Sequence, residues 1–107
     1  MATTFLPGMR TLTLQITDPE VGDQVSASVY LTATNSSGAP SVATGGISAA
    51  QSATGNAQTF ALTINVPTAG TYYAWVIVYI NGASYAIFPQ TGTLTIGTIQ
   101  VTMGTWS

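Results

Sequence analysis

Charge is nearly missing from this chain of 107 residues, which has one Arg, three acids, and neither Lys nor His. Charged residues make up 4% of the sequence, against roughly 25% in an average soluble domain. A net charge of −2 supplies none of the cationic phosphate contacts on which nucleic-acid affinity rests, so nucleic acid is excluded as a partner. Cysteine is also absent, which removes disulfides, thiolate metal ligands and thiol nucleophiles. Without His, Cys or Lys, the abundant Ser and Thr hydroxyls have no activating base, and the chain reads as non-enzymatic and free of cofactors. Long apolar runs are missing too. The longest, Ala74 to Ile80, falls far short of the roughly 20 residues of a membrane-spanning helix. No basic amphipathic segment is present to lie on an anionic bilayer, so a membrane is not an expected partner.

The opening MATTFLPGMR lacks the basic stretch and apolar run of a secretory signal, yet the uncharged composition is that of a protein working outside the cell. A virion protein, made without a signal and exposed afterwards, satisfies both conditions. A mature secreted domain satisfies them equally, and the expected location is a virion or an extracellular surface.

What is present is apolar and hydroxylic. Apolar residues reach 46%, enough for one domain with a single core. Threonine leads the polar residues, followed by Ser, Gln and Asn. The dominant period is two. Leu12, Leu14 and Ile16 alternate with Thr11, Thr13 and Gln15; Val25, Ala27, Val29 and Leu31 alternate with Ser26, Ser28, Tyr30 and Thr32; Phe60, Leu62, Ile64 and Val66 alternate with Thr59, Ala61, Thr63 and Asn65. Each run reads as a half-buried strand. Turn chemistry separates them at DPEVGD (18–23), NSSGAPS (35–41) and PTAG (67–70), where Pro fixes φ and Gly accepts positive φ. Asn81-Gly82 predicts a type I′ hairpin. Near the end, Leu94 and Ile96 are even whereas Ile99, Val101 and Met103 are odd. Gly97-Thr98 absorbs the slip, as a β-bulge or as a type II′ hairpin with Gly first, and the bulge is the expected solution. VATGGISAAQSATGNA (42–57) reads as loop with a short strand around Ile47 to Ala49.

The acids Asp18, Glu20 and Asp23 share one turn, so they cannot bracket a substrate as a glycosidase pair does. They form a weak candidate for a Ca²⁺ site whose spacing matches no EF-hand loop, and a solvated turn is the expected reading. Asn35-Ser36-Ser37 is an N-glycosylation sequon in an expected loop. With so few titrating groups, stability is expected to be nearly indifferent to pH from acid to neutral.

The stretch TYYAWVIVYING (71–82) is apolar on both faces, and a sandwich core occupies only one of them. In a regular two-residue hairpin, Val78 faces Tyr85 and Val76 faces Ile87 on one side, while Ile77 faces Ala86 and Trp75 faces Phe88 on the other. With the even face inward, the outer face displays Tyr73, Trp75, Ile77, Tyr79, Ala86 and Phe88. With Trp75 inward, it displays Val76, Val78, Ile80, Tyr85 and Ile87. Either way a contiguous patch needs a cover. Another subunit is the expected cover, and the alternatives are the terminal segments, with Phe5, Leu6, Met9, Met103 and Trp106, or a ligand.

Two segments, VGDQVSASVYLTATNSSGAP and TFALTINVPTAGTYYAWVIVYING, resemble the immunoglobulin-like β-sandwich modules of bacterial and archaeal surface proteins, particularly the adhesion-related CARDB type. Pro67, Ala69, Gly70 and Tyr72 stand in the places of its P-x-x-A-G-x-Y pattern. The resemblance implies that Tyr72 is a tyrosine-corner residue. Such folds also recur as viral decoration and tail modules.

These observations predict an all-β protein: a single immunoglobulin-like antiparallel β-sandwich of about seven to eight strands over residues 11–103, with an N-terminal arm (1–10) and a C-terminal tail (104–107). Its expected work is assembly, as a homo-oligomer or with another structural protein such as a capsid, tail or surface-layer subunit. The expected interface is Tyr73, Trp75, Ile77, Tyr79, Ala86 and Phe88 with Phe5, Leu6 and Trp106. The rival expectation is an extracellular adhesive or carbohydrate-binding module.

Overall fold

Alternation in the sequence becomes alternation in burial. In a computed structural model describing residues 2–90 and 93–107, the runs around Leu12, Val25 and Phe60 form strands β2 (Gly8–Thr17), β3 (Gln24–Thr32) and β6 (Ala57–Val66). Their apolar positions lie inside the molecule. Met1, at the head of the expected arm, and Thr91-Gly92, within the expected sandwich, lie outside that description. The other strands are β1 (Ala2–Phe5), β4 (Ser41–Thr44), β5 (Gln51–Ser52), β7 (Gly70–Ile80), β8 (Ala83–Pro89), β9 (Thr93–Ile96) and β10 (Ile99–Trp106).

Two antiparallel sheets pack face to face as a β-sandwich. The first has the order β1-β7-β3-β4, with β8 beside β7 and β5 beside β3; the second has the order β6-β2-β10-β9. Pairing of β2 with β6 and of β3 with β7 and then β8 is the B–E and C–F–G pairing of an immunoglobulin sandwich. The final strand, β10, pairs with the edge of β2 opposite β6, where the first strand of that fold lies. The core between the sheets includes Leu12, Leu14, Ile16, Val29, Leu31, Phe60, Leu62, Val76 and Val78, each essentially inaccessible. Each such side chain contributes roughly 1.5–3 kcal/mol by leaving water.

The strands number ten rather than seven or eight, because the segments expected as arm and tail are themselves paired. β1 continues the edge of β7 where β8 stops, with Phe5 opposite Gly70 and Ala2 opposite Tyr73. The end of β10 runs beside β2 as far as Trp106 opposite Leu12. Burial explains both: Phe5 lies in the core and meets Trp106 edge-on, ring centroids 4.9 Å apart. The crossover Leu6-Pro7 carries the chain from one sheet to the other. The chain's single Arg holds it, Arg10 donating from Nε to the Leu6 carbonyl (3.1 Å) and from Nη2 to the Pro7 carbonyl (2.9 Å).

Asn81 and Gly82 both have positive φ, 52° and 82°, as the type I′ hairpin requires. Gly97-Thr98 is a hairpin and not the expected bulge: Ile96 pairs with Ile99 across it, Gly97 has φ 57° and Thr98 is not among the positive-φ residues. That is the type II′ pattern. The irregularity in β10 lies later, between Met103 and Trp106. There the β2 backbone passes so close to Gly104 that any Cβ would overlap the Thr13 carbonyl oxygen. The strand expected at 47–49 is absent; β4 and β5 lie on either side of it. Residues 45–48 still bond to β3, through Gly45 N–H to the Val29 carbonyl and Ser48 N–H to the Ala27 carbonyl, both 2.8 Å.

Candidate functional site

The even face of β7 is the core face. Tyr72, Ala74, Val76 and Val78 are buried, whereas Tyr73, Trp75, Ile77 and Tyr79 are half-buried on the outer face of the first sheet. The β8 partners divide differently from a regular hairpin. Ile80 faces Ala83 and Tyr79 faces Ser84 as expected, but the register then shifts, so that Val78 faces Ala86, Ile77 faces Ile87 and Val76 faces Phe88. The bulge falls at Tyr85. A one-residue insertion moves every later side chain to the opposite face, so Phe88 points into the core and Ala86 packs against it. Ile87 takes their place outside, 49% exposed. Of the nine residues expected at an interface, Tyr73, Trp75, Ile77 and Tyr79 share the outer face. Ala86, Phe88 and Phe5 lie inward, Trp106 packs against the core, and Leu6 is exposed at the crossover. The signal for Ile87 was its 2-periodicity with Tyr85, which a bulge reverses and which the sequence does not mark with a glycine.

Part of the second apolar face is covered from within, though not by the termini. Outward residues of β3 pair with those of β7, Ser28 opposite Ile77, Tyr30 opposite Trp75 and Thr32 opposite Tyr73. All three β3 residues are buried, because large β7 side chains beside small hydroxyls leave little of that strand open. The Trp75 indole N–H donates to Thr32 Oγ1 (2.8 Å), which donates to the Thr34 carbonyl (2.7 Å). Tyr30 donates its hydroxyl to the Ser37 carbonyl (2.6 Å), and burial raises its pKa. The loop 33–40 is thereby tied to the sheet and rises beside it.

Between this loop and the β7–β8 ribbon runs an open groove of about 540 Å³. It is lined by Ser28 and Tyr30 of β3, Ile77, Tyr79 and Ile87 of the ribbon, and residues from Ser37 to Ile47 on the far side. Ile47 is 62% exposed. No lining residue is charged, and the four charged residues of the chain all fall between Arg10 and Asp23. No protein-family profile, curated protein or solved structure matches this chain.

The tyrosine corner is formed: Tyr72 donates its hydroxyl to the Thr68 carbonyl, 2.9 Å away. This bond fixes the connection from the second sheet back to the first and so the start of β7. The far end of β7 is fixed by Asn81, whose N–H donates to the Gln24 carbonyl (2.8 Å), whose Oδ1 accepts from Gln24 N–H (2.9 Å) and whose Nδ2 donates to Asp23 Oδ1 (3.1 Å).

The acidic turn is not solvated throughout. Asp18 is buried, its Oδ1 accepting from Glu20 N–H (2.9 Å) and its Oδ2 buried with no hydrogen-bond partner. Burial is the main cause that raises its pKa; the Glu20 amide lowers it, and the Asp23 and Glu20 carboxylates raise it further. Among the described residues no group of three or more His, Cys, Asp or Glu side chains is disposed to hold a metal ion. Asn35 of the sequon is exposed in the 33–40 loop.

Proposed function

We propose that this protein is a non-enzymatic structural module whose outer face, over β7 and β8, packs against another protein in a virion, surface layer or filament. The observation that carries the reading is the apolar character of that face: Ile77, Tyr79, Ile87 and Ile47 border one uncharged groove. Stable interfaces concentrate aromatic and aliphatic side chains and exclude charge from their centres. A β-sandwich with a tyrosine corner is common among surface modules, which supports a location outside the cell at the level of fold alone.

A groove of this size also lies within the ~300–1,000 Å³ range of small-ligand sites. Its tyrosine rings and hydroxyls make a neutral sugar the second reading. Glycan docking would perturb Trp75 fluorescence without changing molecular mass, so titration with neutral oligosaccharides separates the two.

Light scattering across a dilution series, on the wild type beside an Ile77→Ser, Ile87→Ser variant, tests assembly. Both side chains face outward, whereas Trp75 holds a buried hydrogen bond and its loss would confuse folding with association. The expected result is a wild-type mass above 11.0 kDa that the folded variant loses. Equal masses for both proteins at all concentrations, with or without candidate capsid or tail partners, would remove the reading.

A further inference from the structure

The area of the face identifies its occupant, given that the assembly reading holds. The molecule extends 40 × 22 × 22 Å, so its broad face measures about 880 Å², close to the ~800 Å² that each partner contributes to a stable standard interface, whereas an end, at about 480 Å², falls short. We infer that a second copy of this chain packs on this face across a two-fold axis, first sheet against first sheet, closing a dimer.

Three observations converge on that pairing. A two-fold contact places a patch against itself, so any charge near the axis meets its own like. Here the groove lining carries none. Exposed aliphatic side chains stand on both sides of the groove, Ile47 at 62% and Ile87 at 49% exposure, so a copy turned about an axis along the groove brings the Ile47 side over the partner's Ile87 side and the reverse. This reciprocity is what an isologous interface needs. The edges, by contrast, are poor routes for head-to-tail growth. β8 is bulged at Tyr85 and ends in Pro89, β1, β4 and β9 have four residues each, and Gln51 Nε2 occupies the Thr59 carbonyl of β6. Short, bulged or covered edges resist strand addition, and they leave the face as the surface able to pair.

Sedimentation velocity over a thousandfold concentration range, with wild type mixed against tagged Ile77→Ser, Ile87→Ser protein, tests the inference. The expected species is a dimer of twice 11.0 kDa that stops growing, with a dissociation concentration raised at least ~10-fold by Ile87→Ser alone. The double variant, folded by circular dichroism, stays out of the wild-type dimer because both halves of a two-fold contact use the same face. A mass that keeps rising with concentration, or capture of the variant by wild type, overturns two-fold pairing and leaves assembly through the face intact. A wild-type monomer throughout that still binds a capsid, tail or surface-layer protein through this face removes only the dimer, and one that binds none removes both.

Discussion

Asp18 is the residue at which stability and pH meet. Its Oδ2 is buried with no donor to satisfy it, and the neighbouring Asp23 carboxylate offers only another acceptor. A proton on Asp18 converts that opposition into an O–H···O bond. A carboxyl whose pKa is higher in the fold than in the open chain binds its proton more tightly when folded. Stability therefore rises as pH falls through the raised value, and levels off below the ordinary 3.8; above it, the fold carries the cost of a buried charge. Melting temperature is accordingly expected to increase modestly from pH 7 to pH 4, where the composition by itself implies indifference. Asp18→Asn retains the acceptor for Glu20 N–H and adds a donor toward Asp23. It is expected to raise the melting temperature at neutral pH and flatten the pH profile. A melting temperature that falls on acidification, equally in both proteins, would contradict the assignment.

The β7–β8 ribbon shows how far a strand pair can be read in advance. Its turn was legible because Asn-Gly has one dominant use, and both residues adopt the positive φ it requires. The strands were legible because alternation and β-branched residues agree. The bulge was not: Tyr85 carries no local feature that distinguishes an extra residue from a paired one, and only the core's demand for Phe88 opposite Val76 selects it. Terminal strands escaped for a related reason. ATTF is too short for a period to show, and it becomes β1 because Phe5 finds Tyr72 and Trp106, contacts distant in sequence. The same limit applies to the site. The outward apolar set Tyr73, Trp75, Ile77 and Tyr79 was readable from alternation, whereas the groove depends on the loop that Tyr30 ties down through the Ser37 carbonyl. The bulged register makes a direct prediction. Phe88→Ala is expected to destabilise by roughly 3–5 kcal/mol in chemical denaturation, as for a core aromatic, while Ile87→Ala costs under about 1 kcal/mol. The reverse order would restore the regular hairpin. Tyr72→Phe, which removes the corner bond to Thr68, is expected to cost about 1 kcal/mol in the same assay.

At the scale of the whole molecule, two sheets divide the labour. The second sheet turns outward residues such as Thr13, Gln15, Thr59 and Thr63 to water, a neutral polar surface that interacts with solvent alike at any pH. The first sheet turns outward an apolar face with a groove. Low charge removes the long-range repulsion that keeps most proteins apart, and the edges are guarded by shortness, bulging and cover in its place. Association is thus directed to one face. Hydroxyl-radical labelling of the wild type, compared above and below its dissociation concentration, tests that claim most directly. The account predicts that Tyr79 and Ile87 lose reactivity on assembly while Val21, exposed on the acidic turn, keeps its own. Unchanged labelling of Tyr79 and Ile87 in an assembled particle, with protection elsewhere, would contradict it.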